Sequence, residues 1–347
     1  MASRADGQRG LTLTELMVSV AISLVVLVAL GKVYLGSRGA YRTSEALARV
    51  QETGRVALDL IARDLRSTGF AGCLSRGAQP AVYSNPRPAG LGALAALRGY
   101  ERAAGFTYPG GVERLADDEH SDVVRVVAVD STARARVEGD SDVAAATIAI
   151  GDNTAGFERD DVLVVSDCER AAVFTVTGVQ SRPLRLAHAV ESNGGLGTPT
   201  HRISPPFKAR DGAFVARLDS ATYFIGRPRG SRSAPPSLYR AGLERTEKVV
   251  ENVEDLDFLF GVDGDGDGAV DSYLRADQVD AAQWDRVLAV RVSLVAVSAE
   301  AAVPGGAQAV FLRDIDGDTV IDAQPARGDQ RLREVFSTTV SLRNRLP

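Results

Sequence analysis

Several residue types are scarce in this chain, and their scarcity limits what the protein can be. Only two cysteines and three histidines occur in 347 residues, and neither set has the close spacing of a metal-ligand motif. We expect a structural or surface role for each histidine. Aromatic residues make up 6% of the chain and glycine occurs 34 times, which favours many turns and short strands over a large aromatic core. The formal net charge of −5 gives no strong basic field, so we expect no nucleic-acid partner.

Motifs of common enzyme classes are also missing. The sequence has no phosphate-binding loop ending in GK[ST], no HExxH and no GxSxG nucleophile elbow. Aspartates are plentiful, but they lie in repeated loop patterns and do not form a single isolated pair. We therefore expect no enzymatic activity.

The apolar run near the N-terminus is the first feature that indicates a function. Residues 11–31 contain one ionisable side chain, Glu15, between Arg9 and Lys32. As a helix, this run is about long enough to cross a hydrocarbon core of about 30 Å. Because Arg4 and Arg9 precede it, the N-terminus should face the cytoplasm.

Two simpler interpretations compete with a membrane-spanning helix. A secretory signal peptide would have a shorter apolar core and then a small-residue cleavage site, whereas this run continues into helix-like sequence. An acidic side chain within an apolar span costs about 2.5–3.5 kcal/mol at mid-span, so Glu15 needs a reason. A position near a solvated helix end, where the cost is smaller, is the alternative explanation for Glu15.

The letters GLTLTELM, which begin at Gly10, closely resemble the type IV prepilin motif. In that family a glycine precedes the cleavage point and glutamate is the fifth residue of the mature chain; the family usually has Phe at the position of Leu11 and Ile or Val at that of Thr14. The resemblance implies a leader peptide over 1–10, cleavage between Gly10 and Leu11 by prepilin peptidase, and N-methylation of Leu11. It also implies that Glu15 pairs with the terminal amine of a neighbouring subunit during assembly.

The helical pattern continues beyond the apolar run. Apolar residues at helical spacing predict an amphipathic continuation over 36–69, so that one helix spans about 12–68 and is capped by Gly69. The fold class predicted is α+β, with a helix that is transmembrane over 11–35 and packs on an antiparallel β-sheet head with long loops over 70–347. Any bend or local melting is expected at the internal glycines of the helix, Gly31, Gly36, Gly39 and Gly54.

Beyond the helix, β-prone runs, several with period two, predict the strands of the head. The stretch 190–236 has clusters of glycine and proline and is predicted to be loop-like, apart from the β-prone run at 221–226. The runs cover 122–129, 161–166, 171–179, 221–226, 256–260, 286–297 and 334–343.

A narrower resemblance rests on five segments: 41–73, Ser166-Asp167-Cys168, 250–273, 284–294 and 335–345. Together these segments resemble the PilW family of large minor pilins. This resemblance implies a type IV pilus subunit at or near the tip, which primes assembly with other minor pilins, the major pilin and a tip adhesin. It also implies a bacterial single-pass inner-membrane protein that later becomes part of the extracellular pilus.

Two other functions remain open on the sequence. A minor pseudopilin of type II secretion would share the N-terminal motif and a head of helix and sheet. A calcium-dependent adhesive module would use the pilin helix mainly for delivery to the surface.

The two cysteines are predicted to pair. If the head is periplasmic or extracellular, Cys73 and Cys168 should form one disulfide. Closing a loop of about 95 residues would stabilise the head by about 4–5 kcal/mol in the chain-entropy account. The alternative is two buried free thiols.

Two acidic loops share the spacing D-x-D-x-D-x-x-x-D. Alternating carboxylates on a tight loop converge on one hard cation, as the first positions of an EF-hand do, and Gly268 has the position that needs a sharp turn. Because Leu274 and Pro325 replace the bidentate glutamate at position twelve, we predict shorter nine-residue calcium loops; solvated turns between strands are the alternative. The candidate ligands are Asp263, Asp265, Asp267, Asp271 and the carbonyl of Ala269, and in the second loop Asp314, Asp316, Asp318, Asp322 and the carbonyl of Val320.

Overall fold

A long helix opens the part of the chain that the structure, a computed structural model, describes. Helix α1 (Leu13–Ser67) runs for 55 residues and would be about 80 Å long at 1.5 Å per residue. The predicted helix is confirmed over these residues, and it continues through all four internal glycines. The described residues are 13–69, 81–82, 96–115, 121–167, 169–188, 203–243, 245–302, 308, 310–312, 323–324 and 329–345.

The C-terminal end of α1 is capped both locally and by a distant residue. Gly69 has the left-handed backbone (φ +74°) that a helix-ending residue needs, which confirms the predicted cap. The amide of Thr68 donates to the carbonyl oxygen of Leu65 at 3.1 Å. The side-chain amide of Asn344 donates to the carbonyl oxygen of Thr68 at 3.2 Å, so the end of the chain closes the last helical turn.

The described strands, in chain order, are β1 (Ala81–Val82), β2 (Leu97–Tyr100), β3 (Val112–Glu113), β4 (Val123–Arg136), β5 (Thr147–Ala149), β6 (Val162–Ser166), β7 (Ala171–Thr175), β8 (Gly178–Ser181), β9 (Leu184–Ala187), β10 (Phe214–Pro228), β11 (Ser237–Ala241), β12 (Thr246–Glu251), β13 (Val253–Val262), β14 (Ser272–Leu274), β15 (Val287–Ala301), β16 (Val310–Phe311), β17 (Ala323–Gln324) and β18 (Arg331–Ser341).

These strands form two large sheets and two small ones. In the largest sheet the order is β1-β7-β6-β10-β11-β12, with β4 beside β10 and β2 beside β4, and β3 also pairs with β10. The second sheet has the order β14-β13-β15-β18 and is antiparallel throughout. Apart from the parallel pair of β1 and β7, the pairings of the largest sheet are antiparallel as well. The predicted α+β fold with an antiparallel head is confirmed.

Only the C-terminal part of α1 packs on the head. Val50, Ala57, Ile61 and Leu65 are each 1% exposed or less, and they share one core with residues of both large sheets, such as Phe258 on β13. Full burial of side chains of the size of leucine stabilises a fold by about 1.5–3 kcal/mol each. The head therefore holds the helix firmly from about residue 50 onward.

A second core lies beyond the helix, where β4, β6, β7 and β10 extend toward the small sheet of β5, β9 and β8. Its largest members are Phe157, Phe174 and Phe207, each 2% exposed or less. The described members of this cluster include no residue of α1. The head thus has a helix-covered part and a part built from strands and loops alone.

The loop predicted over 190–236 is wrong for a large part of that stretch. Strand β10 runs from Phe214 to Pro228, includes the shorter strand predicted at 221–226, and pairs with β4, β6 and β11. A glycine inside it, Gly226, allows close packing, because a Cβ there would lie 2.7 Å from Cγ1 of Val112. Most of the glycines and prolines of this region lie outside the strand, and its β-prone interior favours the extended structure.

We expect Gly54→Ala to destabilise the head, although alanine is favoured over glycine in a helix by about 1 kcal/mol. A Cβ at position 54 would lie 2.2 Å from Cδ2 of Phe336 on β18, and such overpacking typically costs about 1–3 kcal/mol. Thermal unfolding of the full chain in detergent should show a lower Tm for Gly54→Ala. The matched control is Gly39→Ala, where nothing lies within 4 Å of the added Cβ; equal Tm values for the two variants would contradict this packing.

Candidate functional site

The N-terminal part of α1 has an apolar surface that the head leaves uncovered. An 18-residue window of the helix is apolar enough to cross a membrane, and 0% of it is buried. Leu24 and Leu27, for example, are 57% and 63% exposed. A core helix of a soluble protein would bury most of such a surface. The described part of the predicted transmembrane segment is therefore free to contact lipid or the helices of other subunits.

Polar side chains in this apolar segment lie at intervals of one helical turn. Glu15 is in the first turn of α1 as described, and Ser19 and Ser23 follow it. The hydroxyl of Ser19 donates to the carbonyl oxygen of Glu15, and that of Ser23 to the carbonyl oxygen of Ser19, both at 2.7 Å. Hydroxyls that are hydrogen-bonded within the helix are tolerated in lipid. Glu15, the ionisable residue of the segment, is therefore the side chain whose insertion into lipid costs the most free energy. The predicted cleavage residues, Gly10 and Leu11, lie outside the described residues.

A polar network that the sequence analysis missed fastens the last turns of α1 to the largest sheet. Oδ2 of Asp64 accepts hydrogen bonds from the hydroxyl of Tyr223 and from Nε of Arg240, both at 2.8 Å. Nη2 of Arg240 also donates to Asp219 at 2.9 Å. Burial, together with the negative charge of Asp64, raises the pKa of the Tyr223 hydroxyl well above its ordinary value. The partners of Asp64 lie 159 and 176 residues away in the chain, so no local spacing reveals them.

The first acidic loop joins β13 to β14 and is held by hydrogen bonds to its own backbone. Asp263 is 7% exposed, and its two carboxylate oxygens accept from the amides of Gly266 at 2.6 Å and Gly268 at 3.0 Å. Both glycines have positive φ, +88° and +86°, which favours glycine over other residues. The predicted sharp turn at Gly268 is confirmed, and a second one is present at Gly266.

Three of the predicted calcium ligands come together in this loop. One carboxylate oxygen each from Asp263, Asp265 and Asp267 lies within 4.8 Å of the other two. Asp271 is not in that group, and its Oδ2 accepts from the amide of Gly264 at 2.6 Å. Carboxylate oxygens are the donors that calcium prefers, and water would complete its usual six to eight ligands. The donor set therefore fits a hard divalent cation.

Seven further predicted site residues lie outside the described residues, so the disulfide and the second calcium loop stay predictions. They are Cys73, Cys168, Asp314, Asp316, Asp318, Val320 and Asp322.

His188 is the histidine that the described residues include, and it has a structural role. It is 1% exposed, and its ring packs on Phe174 with the ring centroids 5.5 Å apart. Within the described part of the chain, its Nδ1 has no hydrogen-bond partner. This arrangement confirms the structural role expected for this histidine; His120 and His201 lie outside the described residues.

Acid should destabilise the head through His188. Burial lowers the pKa of this imidazole from 6.5 to about 4, so it protonates in the unfolded chain before it does so in the folded one. The stabilisation is complete above pH 6.5 and is lost as the pH falls toward 4, by up to about 3 kcal/mol. Unfolding free energies from pH 7 to pH 4 should fall less steeply for His188→Phe than for the natural chain. Equal slopes would contradict this assignment.

Comparisons with known protein families match two separate parts of the chain. The model described as Type IV Pilus-assembly protein W matches residues 222–344, which include the acidic loop and β13, β15 and β18. The model described as Prokaryotic N-terminal methylation motif matches residues 6–31, which include the start of α1. No curated protein and no solved structure matches the chain.

Proposed function

We propose that the chain enters the type IV pilus at or near its tip. The two family matches support this proposal, since they indicate a PilW-family type IV minor pilin that is anchored in a bacterial membrane. In the pilus it primes assembly together with other minor pilins, the major pilin and a tip adhesin. The observation that supports this function is α1 itself: its apolar part is uncovered, and the same continuous helix is fixed in the head from about residue 50. In this proposal the chain performs no covalent chemistry.

Before assembly, the chain is a substrate of prepilin peptidase. The enzyme cuts between Gly10 and Leu11 at the cytoplasmic face of the inner membrane, and Leu11 is then N-methylated. The methylation-motif match over 6–31 covers both residues. A glycine before the cut suits this step, since a residue without a side chain lets an extended backbone enter a narrow protease groove.

After cleavage, the new amine at Leu11 becomes the partner of Glu15 on a neighbouring subunit. A carboxylate alone in an apolar medium is costly, whereas a paired one is far less so. The pair therefore favours one axial register between the packed helices. The uncovered leucines and valines of α1 supply the remaining contact with the helices of neighbouring subunits.

A deletion of the gene separates this function from its alternatives. We expect loss of pili and of twitching, both restored by the natural chain supplied in trans. Loss of protein secretion with normal pili would instead favour the type II pseudopilin. Normal pili with weaker surface attachment would favour the adhesive module.

Calcium binding at the loop between β13 and β14 is a second candidate function. The supporting observation is the convergence of the Asp263, Asp265 and Asp267 carboxylates within 4.8 Å. Calcium would be held by these side chains, with the Ala269 carbonyl as a further candidate, and would neutralise their mutual repulsion. The role fits an extracellular module, whose calcium sites typically have Kd values of about 10⁻⁴–10⁻³ M.

Calorimetry of the full chain in detergent should detect one calcium ion per loop with a Kd of about 10⁻⁴–10⁻³ M. The double variant Asp265→Asn/Asp267→Asn should weaken binding at the first loop at least about tenfold, since each change removes a negative ligand and leaves the size of the side chain unchanged. Asp280→Asn, an exposed aspartate outside the loop, is the control and should bind as the natural chain does. Absence of calcium binding at millimolar concentration would reject the site.

A further inference from the structure

A cluster of basic and aromatic side chains follows the apolar segment of α1 directly. It consists of Lys32, Arg38 and Arg42 with Tyr34 and Tyr41, and we call these five residues the basic collar. All five are exposed, with Tyr34 at 65% and Tyr41 at 72%. No acidic residue occurs between Glu15 and Glu45, so the collar is a region of purely positive charge.

Three members of the collar share one side of the helix. Tyr34, Arg38 and Tyr41 are separated by three, four or seven residues, which places them on one helical face. Arg42 follows Arg38 by four residues and lies at the edge of that face beside Tyr41. The opposite face turns toward the head, since the hydroxyl of Thr43 donates to the carbonyl oxygen of Ala302 at 2.9 Å. The face that carries Tyr34, Arg38 and Tyr41 is therefore open to lipid or protein beside the helix, while Arg42 borders the groove between the helix and the head that Glu45 and Glu300 also line.

The height of the collar along the helix matches the surface of a bilayer. Residues 16–35, in which Lys32 is the one charged residue, form a mainly apolar stretch about 30 Å long, the thickness of a hydrocarbon core. Arg38 and Arg42 then lie about 5 and about 10 Å beyond Leu35, in the zone of the lipid headgroups. Lys32 reaches the same zone by extending its side chain along the helix, as long basic side chains near membrane surfaces do. Tyrosines are enriched at this level for a related reason, because their rings are apolar and their hydroxyls are polar.

The charges of the collar have no carboxylate partner in the part of the chain that the structure describes. The ion pair on α1 that lies nearest to the collar joins Glu45 to Arg49 at 2.7 Å and does not include Arg38 or Arg42. In the proposed orientation, moreover, the collar lies outside the cytoplasmic membrane, where basic residues flanking a span are normally fewer than inside. Lys32 lies in the last turn of the span and Arg38 and Arg42 follow it, whereas two basic residues, Arg4 and Arg9, precede it. A partner on the outer side would explain this distribution.

We propose that the basic collar binds the phosphate groups of anionic phospholipids in the outer leaflet and so fixes the depth and rotation of the subunit before assembly. The inference rests on the membrane anchoring that underlies the proposed function. Anionic lipid is favoured over the carboxylates of a neighbouring subunit because the collar lies at headgroup height and carries interfacial tyrosines. The guanidinium groups suit this ligand, since their planar forks donate two parallel hydrogen bonds to phosphate oxygens.

The test uses the full chain in nanodiscs of phosphatidylcholine with phosphatidylglycerol, and native mass spectrometry of the lipids that stay bound. With about 30% phosphatidylglycerol in the disc, the bound lipids should contain nearly twice that share, and the excess should disappear in Arg38→Gln/Arg42→Gln. The matched control, Arg55→Gln/Arg63→Gln, removes two exposed arginines of the same helix about 20 Å or more farther from the span and should keep the excess.

The outcomes separate this inference from its premise. An inserted natural chain whose bound lipids match the bulk composition would overturn lipid binding and leave the carboxylates of neighbouring subunits as the partner, with the membrane anchor intact. An excess that persists in the Arg38→Gln/Arg42→Gln variant would also overturn it. Failure of the chain to insert would overturn the membrane anchor and the lipid site together. High salt should reduce the excess, since the attraction is electrostatic.

Discussion

Glu15→Gln should reduce incorporation of the chain into pili by at least about tenfold, because a charge pair in an apolar helix bundle loses one member. The uncharged amide enters lipid more easily than the carboxylate, so insertion into the membrane should be unchanged or improved. The effect should therefore appear as chain that accumulates in the membrane and is missing from sheared pili. Immunoblots of the two fractions measure the ratio directly.

Glu45→Gln is the matched control for this prediction. Glu45 lies on the same helix, is exposed, and forms an ion pair with Arg49 at 2.7 Å. An exposed pair of this kind contributes about 1 kcal/mol at most, so the variant should enter pili as the natural chain does. If Glu15→Gln and Glu45→Gln gave the same ratio of pilus to membrane, the registration role of Glu15 would be wrong.

Arg333→Gln should lower the free energy of unfolding by about 3–5 kcal/mol, since it removes the cation of a buried ion pair. Arg333 on β18 and Glu254 on β13 lie on either side of β15. Nε of Arg333 donates to Oε2 of Glu254 at 2.6 Å and Nη2 to Oε1 at 3.3 Å, and the two side chains are 3% and 8% exposed. The variant would leave a buried carboxylate without its guanidinium.

A double replacement makes this prediction specific to the ion pair. Arg333→Met/Glu254→Leu removes both buried charges and should recover most of the lost stability, as apolar replacements of buried pairs commonly do. The further partner of Arg333, Asp329 at 2.7 Å, is 38% exposed and can be solvated by water in this variant. Arg49→Gln removes an arginine from an exposed pair and should change stability by about 1 kcal/mol or less. Denaturant unfolding of the full chain in detergent gives the three values. A loss below about 1 kcal/mol for Arg333→Gln would contradict the arrangement described for this pair.

The features that could be predicted from sequence are those set by local pattern. The helix followed from apolar spacing and its end from Gly69, whose φ of +74° is the conformation for which glycine is favoured. The β-prone runs predicted strands β4, β13, β15 and β18. Each strand is longer than the run that predicted it, and β18 ends two residues before its run does. The acidic spacing of the loop after β13 correctly indicated that Asp263, Asp265 and Asp267 lie close together.

The features that could not be predicted depend on residues far apart in the chain. Asp64 and Arg240 form an ion pair at 2.8 Å, and Arg333 and Glu254 form one at 2.6 Å. The partners of each pair are too far apart in sequence for a helical or strand periodicity to reveal them. Most of strand β10 was not predicted, because glycines and prolines in this part of the chain suggested a loop. Its β-prone interior and its pairing with four other strands favour the extended structure instead. The position of Asp271 outside the acidic group is a local feature that depends on the conformation of the folded loop, in which its carboxylate accepts a hydrogen bond from the amide of Gly264.

If this chain is a processed subunit of the pilus, it must be present in the pilus with its leader removed. Mass spectrometry of N-terminal peptides from sheared, purified pili measures both properties at once. We expect a peptide that begins at N-methylated Leu11, present in small amounts relative to the major pilin and absent from pili of a strain that lacks the gene. Pili without this chain, in cells whose membranes contain it, or pili that carry it with residues 1–10 still attached, would show that it is not a processed pilus subunit.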